Sequence, residues 1–232
     1  MIITDKDLGE IRLVQNRRAK KIIVRYRNGI FLLTHPTSVN LLYIKSVIEE
    51  IKPRLLRLIE NKPQKLLLAP DSDFKTFSFK LELVENFVNN NFCIKLKDGI
   101  LSILYPLYIK FDDNETQKVL KEQIERVFHY ESNRLFPGKV KVLAKKYKFE
   151  YNRVKINKSR GRWGSCSSKK DINLSYYLML LPEYLIDFVI LHELCHTKEM
   201  NHGNNFWLLL DEVTNGKAKE LTKELNAFKT NW

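Results

Sequence analysis

The sequence predicts an α+β protein in which a β-rich N-terminal half precedes a helix-rich half. Short β-branched and aromatic runs dominate the first part of the chain, and apolar residues recur at helical spacing over most of the rest. No internal repeat of solenoid length interrupts either part. The chain has 232 residues, which allows one compact domain or a closely packed pair. We place the division between residues 1–112, a β-rich region with one helix, and residues 113–232.

The N-terminal region predicts strands separated by turns and one helix. Asn28-Gly29 is a hairpin turn signal between the second and third strands. Asn40 is a suitable N-cap for a helix that apolar spacing extends to about Asn61. Strand patterns return over residues 64–110, where Asp98-Gly99 marks another hairpin. The first three predicted strands lie at residues 11–14, 22–26 and 30–34.

The C-terminal region predicts helices around a pair of strands. Asn114 or Thr116 begins a long helix, and Pro137-Gly138 is expected to end it because proline disrupts a helix interior. A Gly/Ser-rich turn separates the two strands, and Pro182 is a suitable first helical residue. In order, we predict helices at 114–136 and 139–148, strands at 151–158 and 171–178, and helices at 182–200 and 204–230.

The composition restricts the class of protein. With 44% hydrophobic and 29% charged residues, the chain is too apolar to be disordered and too charged to be a membrane protein. Three cysteines, an odd number, do not suggest a disulfide framework. The N-terminus lacks the basic and then apolar pattern of a signal peptide, and proline and acids interrupt the most apolar stretch, residues 174–194. We therefore expect a cytoplasmic protein without membrane contact.

The most informative string is His192-Glu193-Leu194-Cys195-His196. Two histidines four residues apart lie on one helical face, so both imidazoles can reach one metal ion. Zinc suits neutral imidazole, and a catalytic zinc has three protein ligands with an open position for water. Glu193 is placed to take a proton from that water, whose pKa the metal lowers from 15.7 to about 7. We expect one Zn²⁺ per chain.

A third ligand is needed, and His202 is the first candidate because three of the five histidines fall within eleven residues. A continuous helix would carry His202 about 9 Å along the axis from His196, at 1.5 Å per residue. The helix must therefore stop before His202, and Asn201 tolerates the left-handed conformation that ends helices. The competing assignment takes a carboxylate from the following helix: Glu212, Glu220 or Glu224.

Three ordered motifs resemble the YgjP-like metallopeptidase family, relatives of the SprT-like zincins. They are the segment from Arg162 through Trp163 to Ser168, the His192–His196 string, and the segment from Asn201 to Trp207. The resemblance implies a zincin-like catalytic half, zinc bound by His192, His196 and His202, and Glu193 as base.

The chain departs from the family pattern at two positions. Gly161 stands where the family usually has Thr, and Gly203 where it usually has Ser after the third histidine. Neither position is a metal ligand. Members are mostly classed as peptidases by motif, and a nucleotide pyrophosphatase activity has also been attached to the family.

The segment from Arg162 to Ser168 is a candidate for substrate contact. In zincins the substrate backbone pairs with an exposed strand edge beside the metal. This segment could form that edge, or Arg160 and Arg162 could donate to an oxyanion or a phosphate. The competing interpretation is a tight structural turn with Trp163 in the core. Cys166 and Cys195 are interpreted as small buried residues rather than ligands.

The predicted function is that of a zinc-dependent hydrolase, most simply a metallopeptidase acting on a peptide or protein substrate. One alternative is hydrolysis of a nucleoside triphosphate at the same metal, because an activated water does not select its electrophile. A second alternative is a nucleic-acid-binding protein with a structural metal. Structural zinc sites are usually closed, four-ligand and rich in Cys, which argues against this alternative.

Positive charge is concentrated in two runs. Lys and Arg number 40 against 27 Asp and Glu, giving a formal net charge of +13. Residues 139–170 hold twelve basic residues and one acid, and residues 11–27 hold seven basic residues and no acid. A solvated face is the commoner meaning of such a run. The alternative is a cationic surface beside the metal site that contacts nucleic acid or another polyanion.

Overall fold

The chain divides into two units in a computed structural model that describes residues 1–27, 30–60, 66–88, 91–228 and 232. The units are Met1–Gln64 and Lys65–Trp232. The division predicted at 112/113 falls inside the second unit. The strands that precede it share one apolar core with the helices that follow, as Leu101 and Leu120 illustrate. The predicted Asn28-Gly29 turn lies outside the described residues.

In the residues that the structure describes, the first unit is a four-stranded sheet with one helix. Its strands have the order β1-β2-β4-β3, and Ile11, Phe31 and Ile44 are among the residues of its core. Asn40 Oδ1 accepts the Tyr43 N–H at 2.8 Å, as predicted for the N-cap. The three predicted strands are confirmed, and β1 is additional. The elements are β1 (Ile2–Asp5), β2 (Gly9–Gln15), β3 (Ile23–Arg27), β4 (Ile30–His35) and α1 (Leu41–Glu60).

The second unit combines two three-stranded sheets with four helices in its described residues, so the predicted α+β class is confirmed. A short 3-10 helix, Tyr176–Leu180, follows the last strand. The first sheet consists of β5 (Lys80–Asn86), β6 (Cys93–Lys97) and β7 (Ile100–Pro106), and the second of β8 (Arg153–Asn157), β9 (Gly164–Cys166) and β10 (Asp171–Ser175). The helices are α2 (Asn114–Tyr147), α3 (Glu183–Cys195), α4 (Asn204–Val213) and α5 (Ala218–Ala227).

One strand arrangement recurs in the sheets. In β5-β7-β6 and β8-β10-β9, the last strand in sequence lies between the other two. It pairs in parallel with the first strand and antiparallel with the second. In the first unit β4 lies between β2 and β3 with the same two senses of pairing. The arrangement leaves β9 at the edge of its sheet.

Helix α2 is continuous where the sequence predicted two helices. Pro137 lies inside it, and a proline in a helix interior costs about 3 kcal/mol. Phe136 and Val140 lie one turn apart and are both fully buried. Burying each of these side chains is worth roughly 1.5–3 kcal/mol. Core burial therefore outweighs the proline, and the predicted break at Pro137-Gly138 is wrong.

The remaining differences concern element boundaries. The segment predicted as a turn between two strands contains the short strand β9. The helix predicted over 204–230 is two helices, α4 and α5, separated at Asn215 (φ 55°) and Gly216 (φ 78°). Within the described parts of the chain, no helix is both long enough and apolar enough to cross a membrane.

Candidate metal centre

Three histidines converge at the end of α3. His192 lies in the last turn of the helix, and His196 follows it with helical dihedral angles (φ −64°, ψ −14°). His202 comes from the loop that leads into α4. One possible ligand atom from each of the three lies within 4.8 Å of the others. The Nε2 atoms of His192 and His202 are 3.1 Å apart.

The chain reverses direction earlier than its sequence suggests. Helix α3 ends at Cys195 rather than near Met200, and the Glu199 N–H still bonds to the Cys195 carbonyl at 2.9 Å. Asn201 does not adopt the left-handed conformation expected of it. Its carbonyl instead accepts the Gly203 N–H at 2.8 Å, and Gly203 (φ −76°) is the N-cap of α4. This tight reversal brings His202 back beside the helix end.

Phe206, in the first turn of α4, packs against all three imidazoles. Its ring centroid lies 4.9 Å from that of His192, 4.5 Å from that of His196 and 4.7 Å from that of His202. The ring is stacked on His196 and tilted steeply to the other two. Phe206 is fully buried and so provides a fixed apolar surface against which the three imidazoles pack.

Burial keeps the imidazoles of His192 and His196 in the neutral form that binds metals. Burial, reinforced by the neighbouring His196 and His202, lowers the pKa of His192 to about 4. The pKa of His196 is also lowered, chiefly by burial. His196 Nδ1 lies 3.0 Å from the Glu199 carbonyl. Donation from Nδ1 to this carbonyl leaves Nε2 unprotonated and free to bind a metal.

Glu193 is buried next to the cluster, with 5% of its surface exposed. Burial raises the pKa of its carboxyl group to about 8, against a smaller opposing effect of Arg162. Its Oε2 atom has no hydrogen-bond partner among the described residues. Three converging imidazoles beside a buried acid with a free oxygen fit a zinc ion and a water molecule.

Comparison with known proteins agrees with this geometry. The family model described as "YgjP-like, metallopeptidase domain" matches residues 20–228. The chain belongs to the YgjP-like family. This membership makes the protein a hydrolase of the metallopeptidase class. The search of curated proteins found no match to the chain.

Two solved structures resemble part of this YgjP-like chain. One is the metallopeptidase zymogen of Pyrococcus abyssi abylysin, with 22% identity and a TM-score of 0.35 over 38% of this chain and 89% of that one. The other is the metallopeptidase zymogen of Methanocaldococcus jannaschii jannalysin, with 24% identity and a TM-score of 0.34 over 38% of this chain and 91% of that one.

The alternative carboxylate ligands do not join the histidine cluster. Among the described residues of the YgjP-like chain, His192, His196 and His202 form the one group with metal-binding spacing. Glu224 accepts a hydrogen bond from the Tyr184 hydroxyl. Glu212 is exposed on α4.

The three candidate substrate residues have different surroundings. The Arg160 side chain donates to the Tyr177 hydroxyl at 2.7 Å and to Glu125 at 2.8 Å, so its guanidinium group is already engaged. Arg162 is exposed, and its charge acts on Glu193. Trp163 is half-buried against the core, and its carbonyl accepts the Ser175 N–H at 2.8 Å.

Two residues that contact candidate site residues were not predicted from the sequence. Gly164, in β9, lies against Glu193: a Cβ atom added there would be 2.7 Å from Glu193 Oε1. Glu125, in α2, is the buried acid to which Arg160 is bonded. Neither could have been found from spacing, because both contacts join distant parts of the chain. The two cysteines near the site, Cys166 and Cys195, are half-buried and buried.

Proposed function

We propose that this protein is a zinc metallopeptidase in which His192, His196 and His202 hold the metal and Glu193 is the general base. The observation that carries the proposal is the buried Glu193 carboxyl group, whose Oε2 atom has no partner among the described residues and which lies beside three converging imidazoles. A structural zinc site would not need a buried acid at this position and would more often be rich in cysteine. The metallopeptidase family supports the same reaction class.

In peptide hydrolysis, the metal and Glu193 would have separate roles. A bound Zn²⁺ supplies Lewis acidity, which polarises a scissile carbonyl and makes a water molecule acidic near neutral pH. Glu193 accepts the proton of the attacking water at Oε2 and later returns it to the leaving amine. The positive charge of a bound Zn²⁺ would favour the ionised carboxylate that a base requires, and burial lets Glu193 hold the transferred proton more readily than an exposed glutamate would.

Strand β9 is suited to bind the backbone of a peptide or protein substrate. Among the described residues it pairs only with β10. The Trp163 carbonyl and the Ser167 N–H both bond to β10, at 2.8 Å and 3.0 Å. Because backbone groups alternate along a strand, those of Gly164 and Cys166 point to the opposite, open edge. An extended peptide would pair there, with the exposed Arg162 at one end of the strand.

The test of Glu193 compares metal content with turnover. Purified protein should contain about one zinc per chain, and Glu193→Gln should retain it while reducing peptide hydrolysis by at least a hundredfold. Glu212→Gln is the matched control, because Glu212 is exposed and outside the cluster; it should retain both metal and activity. Activity retained in Glu193→Gln would remove Glu193 as the base.

The test of the third ligand is metal content alone. His202→Ala should lose zinc, because two imidazoles bind it much more weakly than three. If metal content stayed unchanged, the third ligand would have to be sought among the downstream glutamates. Comparing the zinc content of Glu212→Gln would then show whether Glu212 is that ligand.

The substrate class is tested with an unfolded protein and nucleoside triphosphates assayed side by side, with and without a chelator. We expect chelator-sensitive cleavage of the unfolded protein. Turnover of triphosphates alone would overturn the peptidase assignment in favour of a nucleotide hydrolase. Bound zinc without turnover of either substrate would favour a structural metal site.

A further inference from the structure

The backbone of β9 lies directly against the catalytic candidate Glu193 at one residue, Gly164. A Cβ atom added to Gly164 would lie 2.7 Å from Oε1, 2.8 Å from Cγ and 2.9 Å from Cδ of Glu193. Real Cβ atoms do not approach other heavy atoms this closely, so any side chain would move the carboxyl group. Helix α3 and strand β9 are therefore in contact at the position where the proposed base is held.

The need for glycine at this position comes from the contact and not from the backbone. Gly164 lies in a strand and is not among the residues with positive φ. A glycine in a strand interior weakens the strand, and it often marks a site where another group approaches closely. Gly161, three residues earlier, provides the contrast: a Cβ atom there would meet nothing within 4 Å.

We infer that Gly164 is a positioning residue that fixes where the Glu193 carboxyl group lies, an inference that rests on the proposed role of Glu193 as base. A Cβ atom added to Gly164 would point toward Glu193. The backbone N–H and C=O groups of Gly164 point instead to the open edge of β9. One residue therefore sets the distance between the base and the strand that would bind the substrate. Catalysis depends on holding reacting groups within a fraction of an ångström.

The same contact restricts the movement of the base. Glu193 is buried and its Oε1 side faces the backbone of Gly164, so the carboxyl group is confined on this side while Oε2 has no partner. An alanine at 164 would push the carboxyl group away from β9. The loss should appear in the chemical step, because the groups that would pair with a substrate backbone remain in place.

The kinetic experiment compares Gly164→Ala with Gly161→Ala in the zinc-loaded protein. Gly164→Ala should lower kcat at least tenfold, change KM less than twofold and retain one zinc per chain. Gly161→Ala should leave kcat and KM unchanged. Equal kcat values for the two variants would overturn the inference, as would a loss in Gly164→Ala confined to KM.

A second measurement does not depend on activity. Denaturant midpoints of the metal-free protein are compared for Gly164→Ala alone and in a Glu193→Ala background. The substitution should lower the midpoint when Glu193 is present and have little effect when the carboxyl group has been removed. Equal shifts in both backgrounds would show that the added methyl group meets something else, and would overturn the inference. If wild-type protein cleaved no peptide, the proposed function would fail while this comparison still tested the contact.

Discussion

At the scale of single residues, Phe206 links the three proposed ligands. Its ring lies under all three imidazoles and is fully buried, so it restricts how each ring can rotate. Partners that orient metal ligands by hydrogen bonding typically contribute about 10–100-fold to metal affinity or activity, and we expect a ring that packs on all three ligands to act in the same direction. Phe206 therefore belongs to the candidate metal centre even though it offers no ligand atom.

We expect Phe206→Ala to weaken zinc binding by about tenfold or more, because the ligands lose the surface that orients them. Competition with a chromophoric chelator measures the affinity. Leu208→Ala is the control, since Leu208 lies on the same helix with 69% of its surface exposed. Equal zinc affinity in the two variants would reduce Phe206 to a general core residue.

Glu125 is the second informative residue, because its buried carboxylate is bonded to groups from three other parts of the second unit. The Tyr177 hydroxyl and the Trp232 indole donate to it at 2.6 Å and 2.9 Å, and Lys158 and Arg160 pair with it at 2.6 Å and 2.8 Å. Burial alone would raise the pKa of Glu125. The hydrogen bonds outweigh burial and lower its pKa to about 2.

This lowered pKa predicts how stability depends on pH. The folded pKa lies below the ordinary value, so the stabilisation is complete above about pH 4.5 and is lost as pH falls toward 2. We expect Glu125→Gln to lower the free energy of unfolding at pH 7 by about 2–3 kcal/mol, allowing for the exposure of Lys158 and Arg160. The difference from wild type should shrink as pH falls from 4.5 to 2.5.

Urea unfolding at a series of pH values provides the measurement. Glu122→Gln is the control, because Glu122 is exposed on the same helix. A difference between wild type and Glu125→Gln that stayed constant with pH would contradict the assigned role of this carboxylate.

The site residues divide according to how local their contacts are. His192, Glu193 and His196 fall within one turn of a helix, so spacing alone was sufficient to bring them together. Gly164 meets Glu193 across 29 positions, and Trp232 meets Glu125 across 107. Contacts of this kind depend on how elements pack, which residue spacing does not encode.

At the scale of elements, helix α2 shows that a helix-breaking pair of residues does not by itself predict where a helix ends. Pro137-Gly138 indicated an end, yet the flanking Phe136 and Val140 are both buried in the core. Buried residues recur at four-residue spacing from Leu120 to Ala144, on both sides of the proline. Periodicity across the proline was therefore the better signal.

This helix offers a direct test of stability. Gly138 is exposed in the helix interior, and a Cβ atom there would meet nothing within 4 Å. We expect Gly138→Ala to stabilise the protein by about 0.5–1 kcal/mol, because alanine loses less conformational freedom on folding. Thermal or urea unfolding measures the change. Gly216→Ala should destabilise the protein, since Gly216 has φ 78°; a gain there, or a loss at Gly138, would contradict this account.

At the scale of the whole molecule, part of the basic run at 139–170 is already neutralised. Five of its cations have acidic partners within 4.0 Å: Lys139, Arg153, Lys158, Arg160 and Lys170. Exposed cations remain along the end of α2, among them Lys141, Lys145 and Lys148. The number of charges in this run could be read from the sequence, but the ion pairs that neutralise five of them could not.

A polyanion that bound this run would therefore contact the cations without acidic partners. Its affinity should fall steeply with salt, with a slope of about −0.9 per phosphate contacted in a plot of log K against log salt concentration. Binding of short duplex DNA to the protein, and to a Lys141→Ala/Lys145→Ala/Lys148→Ala variant, provides the test. A flat salt response, or equal binding by the variant, would make the run a solvated face.

The recurring strand arrangement has a consequence for the order in which the chain folds. Only four residues separate β9 from β10, whereas 13 separate β8 from β10. Shorter loops close at lower entropic cost, and local contacts form ahead of distant ones. We therefore expect β9 and β10 to pair before β8 joins on the far side of β10. The strand edge proposed to receive the substrate would then exist early, and the arrival of α3 would be the step that completes the catalytic centre.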